Sequence, residues 1–566
     1  GLVPRRSRRP TPSFSVAGLL LAAAALSTLI AGGNRPRSRG EATSHRGSRF
    51  RLSASLISRV ARIGLDSEPQ TALSAAGGRL KIRQCIRKAP ELSRENSSVV
   101  VEGWVRTKRL QGSKGALCFV ALSDGSTAEN LQIVCEYNKT VGYELLEGGE
   151  SNTGAAVAFR GRIVPSCGKN QAYEMHATSC SIIGPVPVIS PLKKNLSDDA
   201  DRGPDPDDAR IEDTYDLSKP YPLAKKRHSN EMMRIIAHLR PRTNLGGAVA
   251  RVRSEVAFGI HSFLYERGFR YVHTPIITKS DCEGAGEAFS VEKKDNKSSH
   301  FFGLPAYLTV SGQLNLEAFC CGVGDCYSFG PTFRAENSHT GRHLAEFWMV
   351  EPELAFADME KALSLAEDLI RTIAQRVLSR CSAEVAFFTK YIDASLENRL
   401  QKLVNGSFSR LTYTEAIDVL TKSKKKFKEK ISWGMDLKTE HERYLSEEVY
   451  DGPVAVTNYP KGIKAFYMRL NDDNETVSAF DILVPRIGEL VGGSQREERL
   501  QLLLDRMRCA NLTINTYKWY LDLRAFGSIP HAGFGLGFDR FLQLLTGVEN
   551  IRDVVPYPRV QGSLDF

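Results

Sequence analysis

The chain has 566 residues, 25% of them charged and 42% hydrophobic, and carries a net charge of +11. That length exceeds what one hydrophobic core serves, so two or more domains are expected. Residues 1–63 hold twelve Arg, no Lys and a single acid, Glu41, so the whole excess charge sits there and the remainder is neutral. Overall basicity therefore does not identify a nucleic-acid binder, and any RNA-binding surface has to be a local patch.

Residues 1–75 read as a targeting leader. Arg5, Arg6, Arg8 and Arg9 precede the apolar run Val16–Ile30, which is short for a membrane span and has the size of a signal-peptide core. The stretch from Asn34 to Leu65 is rich in Arg and Ser and almost free of acids, as transit peptides are. A signal-like core with a transit-like tail is the pattern of plastid leaders that cross extra membranes (apicoplast-like). A mitochondrial address is the second expectation and a membrane anchor the competing one, and the mature protein is expected to form no stable membrane association. The eleven cysteines include no CxxC pair and no His at ligand spacing, which points to neither a zinc site nor a disulfide framework. Cys320 and Cys321, in the run AFCCGVG, read as small buried filler.

Residues 76–187 contain short β-branched clusters broken by Gly and Asp-Gly turns: SVVVEGWVRTKRLQ, ALCFVALSDG, LQIVCEY, GAAVAFRGRIV and YEMHATSCSII. Five such strands suit an OB-fold, a partly open barrel whose strand face binds oligonucleotides. Phe119 sits in the alternating run ALCFVAL, where either a core position or an outward one is open to it. Residues 188–230, rich in Asp, Pro and Gly, read as a linker. Helical spacing then runs from Ala224 to Gly268, a plausible helix stop, and YVHTPIIT switches to strand period.

Three segments of residues 231–566 carry the chemistry: LTVSGQLNLEAF at Leu308–Phe319, FRAENSHTGRHLAEFWMVEPE at Phe333–Glu353, and HAGFGLGFDR at His531–Arg540. The second reads as two strands joined by a polar loop, SHTGR, with charged residues beyond the strand ends. Together these segments resemble the motifs of class II aminoacyl-tRNA synthetases, most closely the asparaginyl-tRNA synthetases. The resemblance covers about Val100 to Arg559 and implies an α+β protein, an N-terminal OB-fold barrel followed by a catalytic domain built on an antiparallel sheet flanked by helices.

It implies ATP and Mg²⁺ as cofactors, with tRNA(Asn) and L-asparagine as partners, and a homodimer formed through the helix and strand around Pro275. Arg334, Arg540 and Glu489 would be the catalytic groups. Arg334 would take the α-phosphate, Phe347 would stack on adenine, and Arg540 would cover the other face. Glu336, Arg342 and His343 would meet the adenine amino group and outer phosphates, and Gly537, with Gly533 and Gly535, would let backbone approach the ligand. Asp481 and Glu489 would hold the metal. Glu283, Ser311 and Gln313 would receive the substrate ammonium, Arg496 its side-chain oxygen, and Glu351 its amide NH₂. Leu316 stands where aspartyl relatives carry a lysine, and its lack of charge favours asparagine over aspartate. In the barrel, Arg109, Phe119 and Gln132 would read the anticodon.

Departures from the family pattern are Asn315, where relatives often have an aromatic residue, and Asp539 in place of glutamate. The lysines at 422, 424, 425, 426 and 428 read as a solvated helix face, with contact to a tRNA acceptor arm as the alternative. An aspartyl or non-discriminating synthetase, an amide-forming relative and a non-catalytic OB-fold RNA binder are the rival readings.

Overall fold

The computed structural model describes residues 78–112, 116–168, 171–186, 221–223, 228–279, 288–292, 300–337, 340–564 and 566. The leader, most of the linker and Glu283 lie outside the described residues.

Strands β1 (Ser98–Gln111), β2 (Leu117–Ser123), β3 (Leu131–Glu136), β4 (Ala156–Pro165) and β5 (Tyr173–Gly184) close into a barrel in the order β1-β2-β3-β5-β4. Closure, rather than the partly open form expected, comes from a short parallel pairing of β3 with β5 at Ile133↔Met175 and Val134↔His176. The period-two alternation settles Phe119: Cys118, Val120 and Leu122 fill the barrel, so Phe119 and Ala121 point outward. Two short helices, Ile82–Arg87 and Ala89–Glu95, add Ile82, Cys85, Ala89 and Leu92 to the same core.

The helical stretch after the linker is interrupted. Helix Asn230–Ile235 is followed by a 3-10 turn, Arg240–Arg242, and then by the long helix Asn244–Glu266. Pro241 lies in the opening of the 3-10 turn, where a missing N–H is tolerated, and the Thr243 hydroxyl accepts from Gly246 N–H at 2.9 Å, starting the long helix. Gly268, at φ +87, ends it as expected. The strand predicted after it is only β6 (Arg270–Tyr271), followed by a two-stranded ribbon of β7 (Ile277–Thr278) and β8 (Tyr307–Leu308).

The catalytic sheet adds β9 (Cys326–Phe333), β10 (Glu346–Ala355), β11 (Ser409–Thr412), β12 (Val454–Pro460), β13 (Thr476–Val484), β14 (Gly488–Gln495) and β15 (His531–Gly537), in the order β11-β12-β13-β14-β15-β10-β9-β6. It is antiparallel through its centre, but the edge pairs β11/β12 and β6/β9 are parallel, so the sheet is mixed. Val350 and Leu354 of β10 face the main core, which the helices Asn244–Glu266 and Met359–Arg380 complete. Alternation turns Glu351 and Glu353 to the opposite face. The barrel and this domain meet through Arg106, which donates to Asn244 at 2.7 Å, and Arg251, which donates to the Gly125 carbonyl at 2.9 Å.

Candidate active site

Arg334 directly follows β9, and Arg540 lies in the first turn of the helix Phe538–Thr546 that follows β15. The Arg334 guanidinium lies 5.3 Å from the Phe347 ring centroid, in cation–π range. Arg540 donates to the Glu489 carbonyl at 3.1 Å and approaches its carboxylate at 3.4 Å. Desolvation in the cleft raises the Glu489 carboxyl, but Arg540, Lys464, Arg334 and Arg342 outweigh it and hold the group below the usual carboxylate range. The predicted catalytic residues are thus brought to one end of the sheet.

The loop between β9 and β10 supplies the rest. Arg342 donates to the Thr439 hydroxyl and pairs with Glu442 at 3.7 Å, so it is anchored as well as charged. His343 bonds to Thr340 at 2.6 Å and lies 3.6 Å from Glu336. Burial, with Arg540, Arg342 and Arg334 nearby, lowers the His343 pKa against the pull of Glu336, so at neutral pH it meets an anion as a hydrogen-bond donor rather than a full cation. The glycines of β15 play a different part from the one expected: a Cβ on Gly533 would lie 2.3 Å from the Glu353 carboxylate and one on Gly535 2.5 Å from Met349. They make room for side chains of β10. At Gly537 the neighbouring Arg540 side chain would be in ordinary contact at 3.7 Å.

Asp481 and Glu489 converge over Gly492, whose absent Cβ would meet them at 3.3 and 3.1 Å. Lys464 pairs with Asp481 at 2.7 Å and lies 3.9 Å from the Tyr459 ring centroid. Among the described residues no group of three or more His, Cys, Asp or Glu is placed to hold an ion unaided. Two carboxylates that leave the remaining positions to phosphate oxygens and water suit Mg²⁺, which keeps several waters and takes few protein ligands.

Further along the same face is a smaller pocket. Glu351, 5% exposed, accepts from the Ser311 hydroxyl, from Gly312 N–H at 3.1 Å and from the Ser328 hydroxyl at 3.1 Å. Gln313 donates to Glu317 at 3.0 Å, which leaves its carbonyl oxygen for a cationic partner. Arg496 is committed to Glu353 through two N–H groups and to Ser494 at 2.8 Å. Leu316 does not line this pocket. It is fully buried with Val272, Cys320 and Cys326.

Beneath the pocket lies a charge network that the motifs do not reveal. Glu317, fully buried, accepts from Tyr520 at 2.8 Å and Arg524 at 2.7 Å, and lies 3.0 Å from His531. Burial would raise its pKa, but Arg524, His531 and Arg496 hold it well below the carboxylate range. Its partners are some 200 residues away in the chain, a separation no local pattern carries. Asp539, a departure from the family pattern, accepts from Arg253 at 2.5 Å and from Trp348 N–H at 2.9 Å, joining the long helix to β10.

In the barrel, Arg109 stands opposite Phe119 across β1 and β2, its guanidinium 5.2 Å from the ring centroid. Gln132 donates to Glu174 at 3.0 Å. An outward aromatic with a cation beside it has the composition of a surface on which a base can stack. The lysine run is not a helix face: helix Tyr413–Lys422 ends at its first member. Lys422 pairs with Asp418 at 3.7 Å and Lys425 with Glu448.

Comparison with known proteins agrees with this geometry. Residues 230–561 match the family of tRNA synthetases class II (D, K and N), and residues 99–183 the OB-fold nucleic acid binding domain. The chain is 50% identical over 475 residues to an asparagine–tRNA ligase of Nitratidesulfovibrio vulgaris (strain DP4), covering 82% of this chain and 95% of that protein. The chain belongs to the class II asparaginyl-tRNA synthetases. Another such synthetase, the asparagine–tRNA ligase of Protochlamydia amoebophila, is 47% identical over 501 residues, 86% of this chain and all 100% of that protein. The crystal structure of the family member from Pyrococcus horikoshii, complexed with asparaginyl-adenylate, superposes with a TM-score of 0.70 at 30% identity, covering 86% of this chain and 99% of that one. A putative aspartyl-tRNA synthetase of Leishmania major shares the fold at 21% identity and a TM-score of 0.68.

Proposed function

We infer that this chain is an asparagine–tRNA ligase, which activates L-asparagine with ATP and passes the asparaginyl group to tRNA(Asn). Within a site shared with aspartyl relatives, Glu351 is the observation that selects asparagine. A carboxylate offers about four acceptor positions, and three are filled by Ser311, Gly312 N–H and Ser328. The fourth suits one N–H of a substrate amide. Glu351 has no ion-pair partner among the described residues, so the negative charge of an aspartate side chain would meet an uncompensated like charge in a buried pocket.

The chemistry divides into two displacements without a covalent enzyme intermediate. A carboxylate oxygen of asparagine attacks the α-phosphorus of ATP, and the bond to the bridging oxygen breaks to release pyrophosphate. The terminal ribose hydroxyl of the tRNA then attacks the acyl carbon, and AMP leaves. Arg334 is placed to neutralise charge growing on the α-phosphate, with Phe347 beside it to stack on adenine. Arg540, Arg342 and His343 receive the outer phosphates. Bound Mg²⁺, held by Asp481 and Glu489, would supply further neutralisation of the triphosphate. Ser311, Gln313 and Glu283 would take the substrate ammonium.

The native assembly is a homodimer. Phe258 and Tyr265, 64% and 74% exposed on the helix Asn244–Glu266, support it by presenting large apolar groups on one element. The arginine-rich leader supports import into a plastid or mitochondrion. Among the described residues no helix is long and apolar enough to cross a membrane.

Amino-acid-dependent ATP–pyrophosphate exchange tests the ligase reading. Exchange with asparagine and not aspartate is the expected result, and exchange with aspartate alone would refute it. Fusing residues 1–75 to a fluorescent protein tests the address, which a cytosolic signal would overturn.

A further inference from the structure

The segment Thr439–Val449 belongs to none of the three motifs, yet its side chains reach the nucleotide end of the cleft. It begins as a single helical turn, Thr439–Arg443, and widens into a π-helical turn over Tyr444–Val449. Such turns are rare and concentrate at functional sites. Glu442, on the α-helical turn, and Glu447, on the π-helical one, both grip the hairpin between β13 and β14. Glu447 accepts from Arg486 N–H at 2.5 Å, and Glu442 accepts from Glu489 N–H at 3.1 Å.

Glu442 is 9% exposed and also pairs with Arg342 at 3.7 Å, while Thr439 takes a second N–H of that arginine. The hairpin is shaped to receive it. Gly488 has φ +84, and a Cβ there would fall 2.3 Å from the Glu442 carboxylate. One carboxylate therefore touches a phosphate-facing cation and the backbone of a metal-facing acid. Its polar contacts all lie at this end of the cleft, away from Ser311, Gln313, Glu351 and Arg496 of the amino-acid pocket.

We propose that Glu442 is a positioning residue for ATP: by holding Arg342 and the Glu489 turn in register it sets the affinity for the nucleotide and leaves the affinity for asparagine alone. This rests on the ligase reading for the identity of the ligand. The segment's place outside the recognised motifs explains why neither spacing nor motif points to it.

The test compares the whole wild-type chain with Glu442→Ala, Glu442→Gln and Thr439→Val. ATP with Mg²⁺ is titrated calorimetrically, and KM for ATP and for asparagine is measured by pyrophosphate exchange. Loss of a hydrogen bond to a charged group weakens binding roughly 10- to 100-fold. Glu442→Ala should raise both Kd and KM for ATP by that factor while KM for asparagine stays within about twofold. Glu442→Gln keeps an acceptor for Glu489 N–H and should fall between. Thr439→Val should shift ATP in the same direction by less, and it carries the test should the Glu442 variants fail to fold. Unchanged ATP affinity in a folded Glu442→Ala protein would overturn the proposal, as would a parallel rise of both KM values. A wild-type protein that binds ATP yet shows no asparagine-dependent exchange would instead overturn the ligase reading, and the calorimetric comparison would still decide the role of Glu442.

Discussion

Replacing Glu351 with Gln isolates charge from shape at the position proposed to separate asparagine from aspartate. The side chain keeps its size, and the Ser311 hydroxyl can rotate to accept from the new NH₂, while the retained oxygen can still take Gly312 N–H and the Ser328 hydroxyl. Folding should therefore lose no more than about 1–2 kcal/mol. Asparagine loses a hydrogen bond to a charged acceptor, worth about 1.5–3 kcal/mol, and kcat/KM should drop roughly 10- to 100-fold. Aspartate is relieved of a like charge. At about 4 Å and an effective dielectric of about 20 that repulsion is about 4 kcal/mol. Added together, the preference for asparagine should shrink by about 5 kcal/mol or more, a factor of at least roughly a thousand. Pyrophosphate exchange at limiting concentrations of each amino acid measures the ratio. A folded variant whose ratio moves by less than about tenfold would show that discrimination resides elsewhere.

Glu353→Gln should be far more costly to the fold, because it leaves Arg496 buried with only Glu317, 4.0 Å away, as a remaining carboxylate. Breaking a buried pair from one side costs about 3–5 kcal/mol, so an unchanged urea midpoint would refute the pairing. Burial and Glu489 push the Glu442 carboxyl up from 4.5 to about 7 against the pull of Arg342. The native state then binds the proton more tightly than the unfolded state, and stability falls as pH rises from about 4.5 to about 7, by about 3 kcal/mol in total. Urea midpoints at pH 5 and pH 7.5 should show a smaller fall for Glu442→Gln than for the wild type, and an identical fall would count against the assignment. Phe119→Ala should weaken tRNA(Asn) by the worth of one stacked base, about 1–3 kcal/mol, with pyrophosphate exchange unaltered. An unchanged KM for tRNA would remove Phe119 from the recognition surface.

Residues whose function follows from neighbours in sequence are legible in it. Arg334, Phe347 and Glu351 share one stretch, and strand alternation alone orders their faces once β9 and β10 are recognised. Arg540 is readable because the helix carrying it starts where β15 ends. Periodicity leaves Phe119 undecided, since both phases of ALCFVAL hold apolar residues, and only the barrel's interior fixes which phase is inside. Glu317, Arg524 and Glu442 are hidden for a different reason. A charged side chain on a helix or in a turn is ordinarily a surface group, and what marks these as buried is a partner contributed by a remote segment. The parallel edges of the sheet are hidden likewise, because β6 is two residues long and β11 four, too short to carry a period. Gly533 and Gly535 suggest clearance for a ligand, when the space is taken by Glu353 and Met349 from the adjacent strand.

Asp539 sits immediately before Arg540 and clasps both Arg253 and the backbone of Trp348. Arg253 lies on the helix Asn244–Glu266, whose Phe258 and Tyr265 are exposed. Were a second subunit to cover that helix and shift it, Asp539 would carry the shift from Arg253 to its neighbour in the chain, Arg540. Linkage runs in both directions with equal free energy. If covering the helix tightens ATP binding, ATP must tighten the association of subunits by the same factor, and the two equilibria become one measurement made from opposite ends.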